Sequence, residues 1–115
     1  MALASKYNLK GKKKFTEILN KGKMVQSESF GIVFLPNDLK ENSCFGFIVS
    51  TKISKQAVLR NRVKRALSEA VRFAMGEVKP GYDIVFLAKS LCLKKSTPEL
   101  MAEVRPALLK AKLIK

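Results

Sequence analysis

The stretch QAVLRNRVKRALSEAVRFAM, residues 56–75, carries the longest helical pattern in the sequence. At about 100° per residue, its apolar side chains fall on one side of a helix. These apolar residues are Leu59, Val63, Ala66, Leu67, Ala70, Val71 and Ala74. Gly76 follows the stretch and can end the helix. We therefore predict one long amphipathic helix whose apolar side packs on the core.

The opposite side of this helix is strongly basic. It carries Asn61, Arg62, Lys64, Arg65, Ser68 and Arg72, with Arg60 at its edge. Four of the five arginines of the chain lie in this helix. Lysine is otherwise the common basic residue, since it accounts for 18 of the 23 basic residues of the whole chain. Guanidinium groups form multidentate contacts with phosphates and stack on bases, which favours RNA or DNA binding. A merely solvated face explains the pattern less well, because like charges at i, i+4 destabilise a helix by roughly a few tenths of a kcal/mol.

Three stretches outside this helix are rich in β-formers. Residues 29–35 (SFGIVFL) and 44–50 (CFGFIVS) are joined by the turn-forming segment PNDLKENS, so we predict an antiparallel hairpin. Phe45, Phe47 and Val49 would then share one face. Residues 82–88 (YDIVFLA) are almost continuously apolar, which is typical of a central strand covered on both faces. We also expect a short strand near residues 51–53.

Two shorter helices complete the predicted order. Phe15, Ile18 and Leu19 recur at i, i+3, i+4 and precede Gly22, which indicates a short amphipathic helix. A second begins in the tail, where Thr97, Pro98 and Glu99 supply an N-cap, an initial proline and an acidic first turn. Its apolar side is predicted to be formed by Leu100, Val104, Leu108 and Leu109. Pro106 should kink this helix or split it in two.

Composition limits the classes of function. The chain has 115 residues, a net charge of +14 and 47% hydrophobic residues, which fits one domain over residues 1–115. It has no histidine, its nine carboxylates are scattered, and Cys44 and Cys92 lack metal-site spacing, so neither side-chain acid/base catalysis nor a zinc site is indicated. No apolar run approaches a membrane span and the N-terminus is unlike a signal peptide, so we expect a cytoplasmic protein. The charge itself indicates a polyanionic partner, with nucleic acid as the default.

The stretch FGFIVSTKISKQAVLRNRVKRALSEAVR, residues 45–72, resembles the protein component of bacterial ribonuclease P. The family motif is a lysine at a strand end, then Ala-Val, then Arg-Asn-Arg followed by further basic residues on a long helix. Matching residues here are Ala57, Val58, Arg60, Asn61, Arg62, Lys64 and Arg65. The first helix, the strands and the basic final helix also follow the order of the family. One departure is Ser68, where the family commonly has arginine.

This resemblance implies an α/β (α+β) fold, a small two-layer sandwich. Its mixed, mostly antiparallel sheet of about four strands would pack with three helices and include a left-handed β-α-β crossover, against the usual hand. The resemblance also implies an RNA-binding subunit of ribonuclease P without catalytic residues of its own. Its partners would be the catalytic RNA and the 5′ leader of precursor tRNA, with no membrane and no obligate protein partner. The chain would lower the magnesium requirement of the RNA subunit, which would itself hold most of the magnesium.

Roles carry over from the family residue by residue. Contacts to the catalytic RNA are expected from Arg60, Asn61, Arg62, Lys64 and Arg65. A leader-binding cleft between the first helix and the sheet is expected to involve Phe15, Leu19, Phe34 and Lys52. Further RNA contacts are expected from Lys12, Lys13, Lys14, Lys55 and Arg72. For Phe15 the alternative is an ordinary core position beside Ile18 and Leu19.

Two other classes of protein remain open. A ribosomal protein is also small and basic, but it would bind ribosomal RNA without promoting tRNA processing. The block of arginines on one helix distinguishes the two. A membrane-surface protein would need a large exposed apolar helix face, whereas the strands here require that face for the core.

Overall fold

The computed structural model describes Leu9 and residues 11–37 and 43–114. Its helices are α1 (Lys12–Lys21), α2 (Ala57–Ala74) and α3 (Thr97–Lys110). Its strands are β1 (Lys23–Gln26), β2 (Phe30–Pro36), β3 (Cys44–Ile48) and β4 (Tyr82–Ala88). Short 3₁₀ turns cover Met75–Glu77 and Ser90–Lys94. The strands form one sheet in the order β1-β2-β4-β3, in which only the β3–β4 pair is parallel.

The predicted fold class is confirmed: three helices pack on a mixed, mostly antiparallel sheet of four strands. The helices cover both faces of the sheet, so α1 adds a layer to the two that were predicted. On one face, Ile32 and Phe86 belong to the main core with α2 and α3. On the other, Val33 and Val85 form a smaller cluster with Ile18 of α1. The parallel pair β3–β4 is connected through α2, and the left hand of this crossover stays a prediction.

The predicted hairpin between residues 29–35 and 44–50 is wrong. Strand β4 lies between β2 and β3 and pairs with both, as its continuous apolar sequence led us to expect for a central strand. A turn-forming segment brings two strands back towards each other, but it does not decide which strand pairs with which. Residues 38–42 of that segment lie outside the described residues.

Two short segments differ from the prediction. The expected strand at residues 51–53 is a turn, in which the Ile53 amide donates to the carbonyl of Ser50 at 3.0 Å. Strand β1 was not predicted, because its sequence KMVQ does not alternate apolar and polar residues. In the structure its side chains are mostly exposed. It pairs antiparallel with β2 at the edge of the sheet.

The long helix α2 begins and ends within one residue of the predicted bounds. Six of its seven predicted core residues are buried, and Leu59 is half-buried. Phe45 and Val49 are buried in the same core, and the partly buried Phe47 packs against it, as expected from their alternation. The helix contacts β3 at one edge of the sheet, whereas α3 contacts β1 at the opposite edge. Because its inner side is packed in the core, α2 holds the residues of its outer face in fixed positions.

Helix α3 begins with a complete capping box. Its N-cap is Ser96, one residue before the predicted Thr97, and Ser96 and Glu99 satisfy each other's backbone amides. The Ser96 backbone amide, and then the Ser96 hydroxyl, hydrogen-bond the Glu99 carboxylate and lower its pKa. The helix continues through Pro106 without being split. Leu109 was predicted to be apolar-side core but is exposed, and Ala107 is buried in addition to Leu100, Val104 and Leu108.

A carboxylate on α3 fixes the β1–β2 turn. Glu103 accepts hydrogen bonds from the Ser27 hydroxyl at 2.6 Å and from the Ser29 amide and hydroxyl at 2.7 and 2.8 Å. Lys95 Nζ lies 4.0 Å from the same carboxylate. Burial raises the pKa of Glu103, but the hydrogen bonds from the two serines and the charge of Lys95 outweigh it, so the pKa is lowered. The ionised form therefore stabilises the fold.

Helix α1 ends at Gly22, as predicted, although the reason is close packing. Its φ of −73° is available to any residue. A Cβ on Gly22 would lie 2.5 Å from the carbonyl oxygen of Ile18 and 2.8 Å from that of Phe34. Only glycine lets the chain turn from α1 into β1 at this point. Within the described residues, none of the helices has the length and apolar character needed to span a membrane.

Candidate nucleic-acid interface

The outer face of α2 presents cations that no carboxylate of the described residues neutralises. Asn61, Lys64 and Arg65 are exposed, as the helical periodicity predicted. Among the described residues, no Asp or Glu oxygen lies within 4.0 Å of the charged groups of Lys64 or Arg65. Arg72 differs because it is paired with Glu69. A helix face with unpaired cations is suited to binding phosphates.

Two arginines of the same motif also make hydrogen bonds within the protein. Arg60 donates to the Ser54 carbonyl at 2.9 Å, and Arg62 donates to the Lys95 carbonyl at 3.2 Å. Both are half-buried. Each guanidinium has five N–H donors, so donors remain for a ligand. These contacts, which the sequence pattern did not indicate, fix the loops before α2 and before α3 relative to the basic face.

The charge of Arg62 also acts on Cys92, which lies in the 3₁₀ turn before α3. Burial raises the pKa of the Cys92 thiol, and the positive charge of Arg62 partly offsets this. Cys92 is 1% exposed and belongs to the main core. The neutral thiol thus packs as an apolar group in the main core.

A groove of about 600 Å³ runs between α2 and the start of α3. Asn61, Arg62 and Arg65 line it on the α2 side, and Thr97 and Met101 line it on the α3 side. Three residues of the predicted RNA-binding set therefore meet at one concave surface. Ser68, at the position where the family commonly has arginine, donates its hydroxyl to the Arg65 carbonyl at 3.2 Å.

The N-termini of α1 and α2 differ from that of α3. Neither has a side-chain cap or an acidic residue in its first turn, and α1 begins with Lys12, Lys13 and Lys14. Cations at a helix N-terminus oppose the helix dipole, and uncapped backbone N–H groups attract anions. The complete capping box of α3 shows that this chain can cap a helix. Both basic helices thus leave their first backbone N–H groups without a side-chain cap.

The predicted leader cleft between the first helix and the sheet falls on the α1 face of the sheet, where several apolar side chains are only partly buried. Helix α1 packs over β2 and β4, and β3 lies beside it. The half-buried Phe15 reaches across to β3, where its ring packs against the backbone of Gly46. A Cβ at Gly46 would lie 2.4 Å from Phe15 Cε1. Ile48 and Leu87 are also only partly buried on this face.

Phe15 is therefore neither a fully buried core residue nor a free surface ring. Sequence reasoning missed Gly46, although a glycine inside a strand of β-formers often marks close approach of another group. It also missed Ile48 and Leu87, which the alternation of β3 and β4 places on the α1 face. Leu19 is 41% exposed on α1, which is compatible with an apolar wall.

The prediction that Phe34 lies in the same cleft is wrong. Side chains alternate along β2, and Val33 and Leu35 face α1, whereas Phe34 packs against the main core on the other face. The Phe34 ring lies 6.2 Å from the ring of Tyr82 in an edge-to-face arrangement. Since the sheet separates it from Phe15, the two rings cannot contact one ligand in a cleft beneath α1.

The predicted lysines lie in the loop before α2 and at the start of α1, and one of them is paired with a carboxylate. Lys52 and Lys55 are exposed in the loop between β3 and α2, which follows the strand that carries Gly46. Lys12 and Lys13 are exposed at the start of α1. Lys14 is instead paired with the buried Asp83 at 3.5 Å.

Asp83 also affects its neighbour on β3. Asn37 donates to the Asp83 carboxylate at 3.3 Å, and Cys44 is its partner in the parallel register. Burial and then the charge of Asp83 raise the pKa of the Cys44 thiol, and Lys14 partly offsets this. This end of the cleft is thus occupied by a structural polar cluster.

Known proteins share this fold. A family model described as Ribonuclease P matches residues 3–112. The chain belongs to the ribonuclease P protein family. It is thus a subunit of ribonuclease P, the ribonucleoprotein endoribonuclease that processes tRNA, and its partner in that enzyme is the RNA subunit.

Individual ribonuclease P proteins show how far the similarity extends. The ribonuclease P protein component of Alkaliphilus oremlandii is 37% identical over 100 residues, which cover 87% of this chain and 86% of the relative. The solved ribonuclease P protein of Staphylococcus aureus aligns with a TM-score of 0.88 and 27% identity over 95% of this chain and 98% of its own. That of Thermotoga maritima aligns with a TM-score of 0.80 and 25% identity over 90% and 96%. The similarity thus covers nearly the whole chain.

No cluster of three or more His, Cys, Asp or Glu side chains that could hold a metal ion occurs in the described part of this ribonuclease P protein. Several potential metal ligands make hydrogen bonds or ion pairs within the fold, as Glu103 and Asp83 do. The outer face of α2 offers positive charge and hydrogen-bond donors, and the α1 face of the sheet offers the Phe15 ring beside exposed lysines. That set is suited to binding RNA.

Proposed function

We propose that this subunit binds the catalytic RNA through the outer face of α2 and the 5′ leader of precursor tRNA through the cleft between α1 and β3. By doing so it lowers the magnesium concentration that RNA-catalysed cleavage requires. The observation that carries the proposal is the row of exposed, unneutralised cations at Lys64 and Arg65 on a rigidly supported helix.

The α2 face suits a folded RNA because its charges are fixed in position. Arg60 and Arg62 are held by hydrogen bonds to loop carbonyls, so their remaining donors are oriented before binding. The open N-terminus of α2 adds backbone N–H groups at the same end. Less conformational entropy is then lost when phosphates bind.

The α1–β3 cleft suits a single strand. An unpaired base can stack on the half-buried ring of Phe15, with Leu19, Ile48 and Leu87 as apolar surroundings. Lys12 and Lys13 on α1 and Lys52 and Lys55 after β3 would accompany the sugar-phosphate backbone. Mature tRNA lacks the leader, so the cleft would distinguish substrate from product.

The effect on magnesium follows from charge. Two polyanions, the catalytic RNA and its substrate, repel each other, and divalent cations screen that repulsion. A chain with a net charge of +14 bound between them reduces the same repulsion. Magnesium would still be held mainly by the RNA subunit, where we place the chemistry.

The α2 part of the proposal is tested by Arg65→Ala. Arg65 makes no ion pair among the described residues, so its loss should leave the fold intact. Binding to a bacterial ribonuclease P RNA should weaken, and the slope of log K against log salt should fall by roughly 0.7 to 0.9. The matched control is Lys23→Ala, an exposed charge on the far edge strand β1, which should leave the slope unchanged.

Arg62→Ala is a less specific test, because it also removes the hydrogen bond to Lys95 and should lower stability. An Arg65→Ala variant that folds normally and retains the native salt slope would contradict phosphate binding by this face.

A further inference from the structure

The end of α2 carries an exposed aromatic side chain that the proposed contacts do not use. Phe73 is 68% exposed, and it is the only exposed phenylalanine or tyrosine in the described residues. Water contact with a ring of this size is unfavourable. The Arg72 guanidinium carbon lies 4.7 Å from the centre of the Phe73 ring, and Arg72 is itself held by Glu69. An aromatic ring and an oriented cation are thus adjacent on the basic helix.

A groove of about 310 Å³ adjoins the ring, between α2 and α3. Its apolar lining is formed by Ala70, Phe73, Ala74, Gly76 and Met101. At its rim, Arg105 and Glu77 form a two-point ion pair at 2.8 and 2.6 Å. The groove thus combines apolar walls with polar groups at the edge, as a flat heteroaromatic ring requires.

We propose that Phe73 and this groove bind one unpaired base of an RNA strand, with Arg72 and Arg65 beside the flanking phosphates. The inference rests on the proposed RNA-binding role of α2. It extends the RNA-binding surface by about two helical turns, from Arg65 to Phe73. Continuity supports it, because the groove shares Met101 with the larger one that Asn61 and Arg65 line.

Charge supports the choice of occupant. The two carboxylates near the ring, those of Glu69 and Glu77, are each paired with an arginine, so the patch does not repel phosphate. A second copy of the chain would bring another +14 charge against the same arginines. A nucleotide offers both parts that the site requires, a π-face for the ring and an anion for the cations.

Tryptophan fluorescence gives a direct test, because the chain has no tryptophan. In Phe73→Trp the single indole should be quenched when a single-stranded oligoadenylate of about twelve nucleotides binds. A fully paired RNA duplex and inorganic polyphosphate should bind by charge with little quenching. The control Leu109→Trp places an indole at an exposed position on α3 and should show little quenching with any of the three.

Affinity provides the second measurement. Phe73→Ala should bind the oligoadenylate roughly fivefold or more weakly, with an unchanged salt slope, and should bind polyphosphate as the native chain does. Equal quenching by polyphosphate, or unchanged oligoadenylate affinity in Phe73→Ala, would overturn the inference. So would a native self-association that Phe73→Ala abolishes, because it would assign the patch to a second copy.

The proposed function can be judged separately from this site. If Arg65→Ala alters the salt slope while Phe73→Ala changes nothing, the function stands and the base site is rejected. If the native chain fails to bind the oligoadenylate and the ribonuclease P RNA alike, both are rejected.

Discussion

Gly46→Ala should displace the Phe15 ring from β3 without touching any charged residue. The added Cβ would lie 2.4 Å from Phe15 Cε1, 2.5 Å from Cζ and 3.2 Å from Leu9 Cδ1. Non-bonded carbons prefer separations of about 3.5–4.0 Å, so the Phe15 ring must move by roughly 1 Å or more. Overpacking of this kind costs about 1–3 kcal/mol of stability. The variant should therefore fold, with a lower midpoint of urea unfolding.

The functional consequence follows from the displaced ring. A base stacked on an aromatic side chain contributes about 1–3 kcal/mol, so losing that geometry should weaken leader binding by roughly fivefold to 100-fold. We would measure the affinity of the holoenzyme for precursor tRNA with a leader of several nucleotides and for mature tRNA. Only the first affinity should fall.

Gly31→Ala is the matched control. Its added Cβ would lie 3.3 Å from the Oε1 atom of Gln26, the far end of a flexible side chain that can move aside. It should therefore leave both affinities unchanged. A folded Gly46→Ala protein that binds leader-bearing precursor as tightly as the native chain would refute the assignment of the leader to this cleft.

Two further predictions concern single side chains. Phe15→Ala should weaken binding of leader-bearing precursor but not of mature tRNA, whereas Phe34→Ala should lower the unfolding midpoint and leave leader discrimination intact, because Phe34 packs in the main core; equal effects of both variants on leader binding would contradict the separation of the two faces. For Glu103, the folded-state pKa is depressed below its ordinary value of 4.5, so its stabilisation is present above that pH and is lost as the pH falls through the folded-state pKa. Glu103→Gln should lower the free energy of unfolding at neutral pH by about 1–3 kcal/mol. Urea titrations at several pH values should also show a smaller loss of stability between neutral and acid pH. If the variant loses as much stability in acid as the native chain, Glu103 is not the group responsible.

Local patterns predicted the helices well. The period of α2 identified its core side and its basic side because both depend only on helical geometry along one segment. The same holds for the alternation that places Phe45, Phe47 and Val49 on one face. Even Gly22 was correctly predicted to end α1, although the physical reason is close packing rather than backbone freedom.

Non-local pairing could not be predicted in this way. The insertion of β4 between β2 and β3 depends on α2 connecting β3 to a strand more than thirty residues later in the chain, and a turn signal contains no information about that. The misplacement of Phe34 has a related cause. Its face was assigned by resemblance alone, whereas the register of β2 against β4 decides it. The hydrogen bond from Arg62 to Lys95 links residues that only the folded chain brings together.

The most direct test of the central claim is the rate of precursor tRNA cleavage at low magnesium by a bacterial ribonuclease P RNA, with and without this chain. We predict no cleavage by the protein alone, slow cleavage by the RNA alone, and a rate restored by the native chain. Arg65→Ala should restore it less than Lys23→Ala does. Cleavage by the purified protein without RNA, or a magnesium dependence that the protein leaves unchanged, would contradict the account.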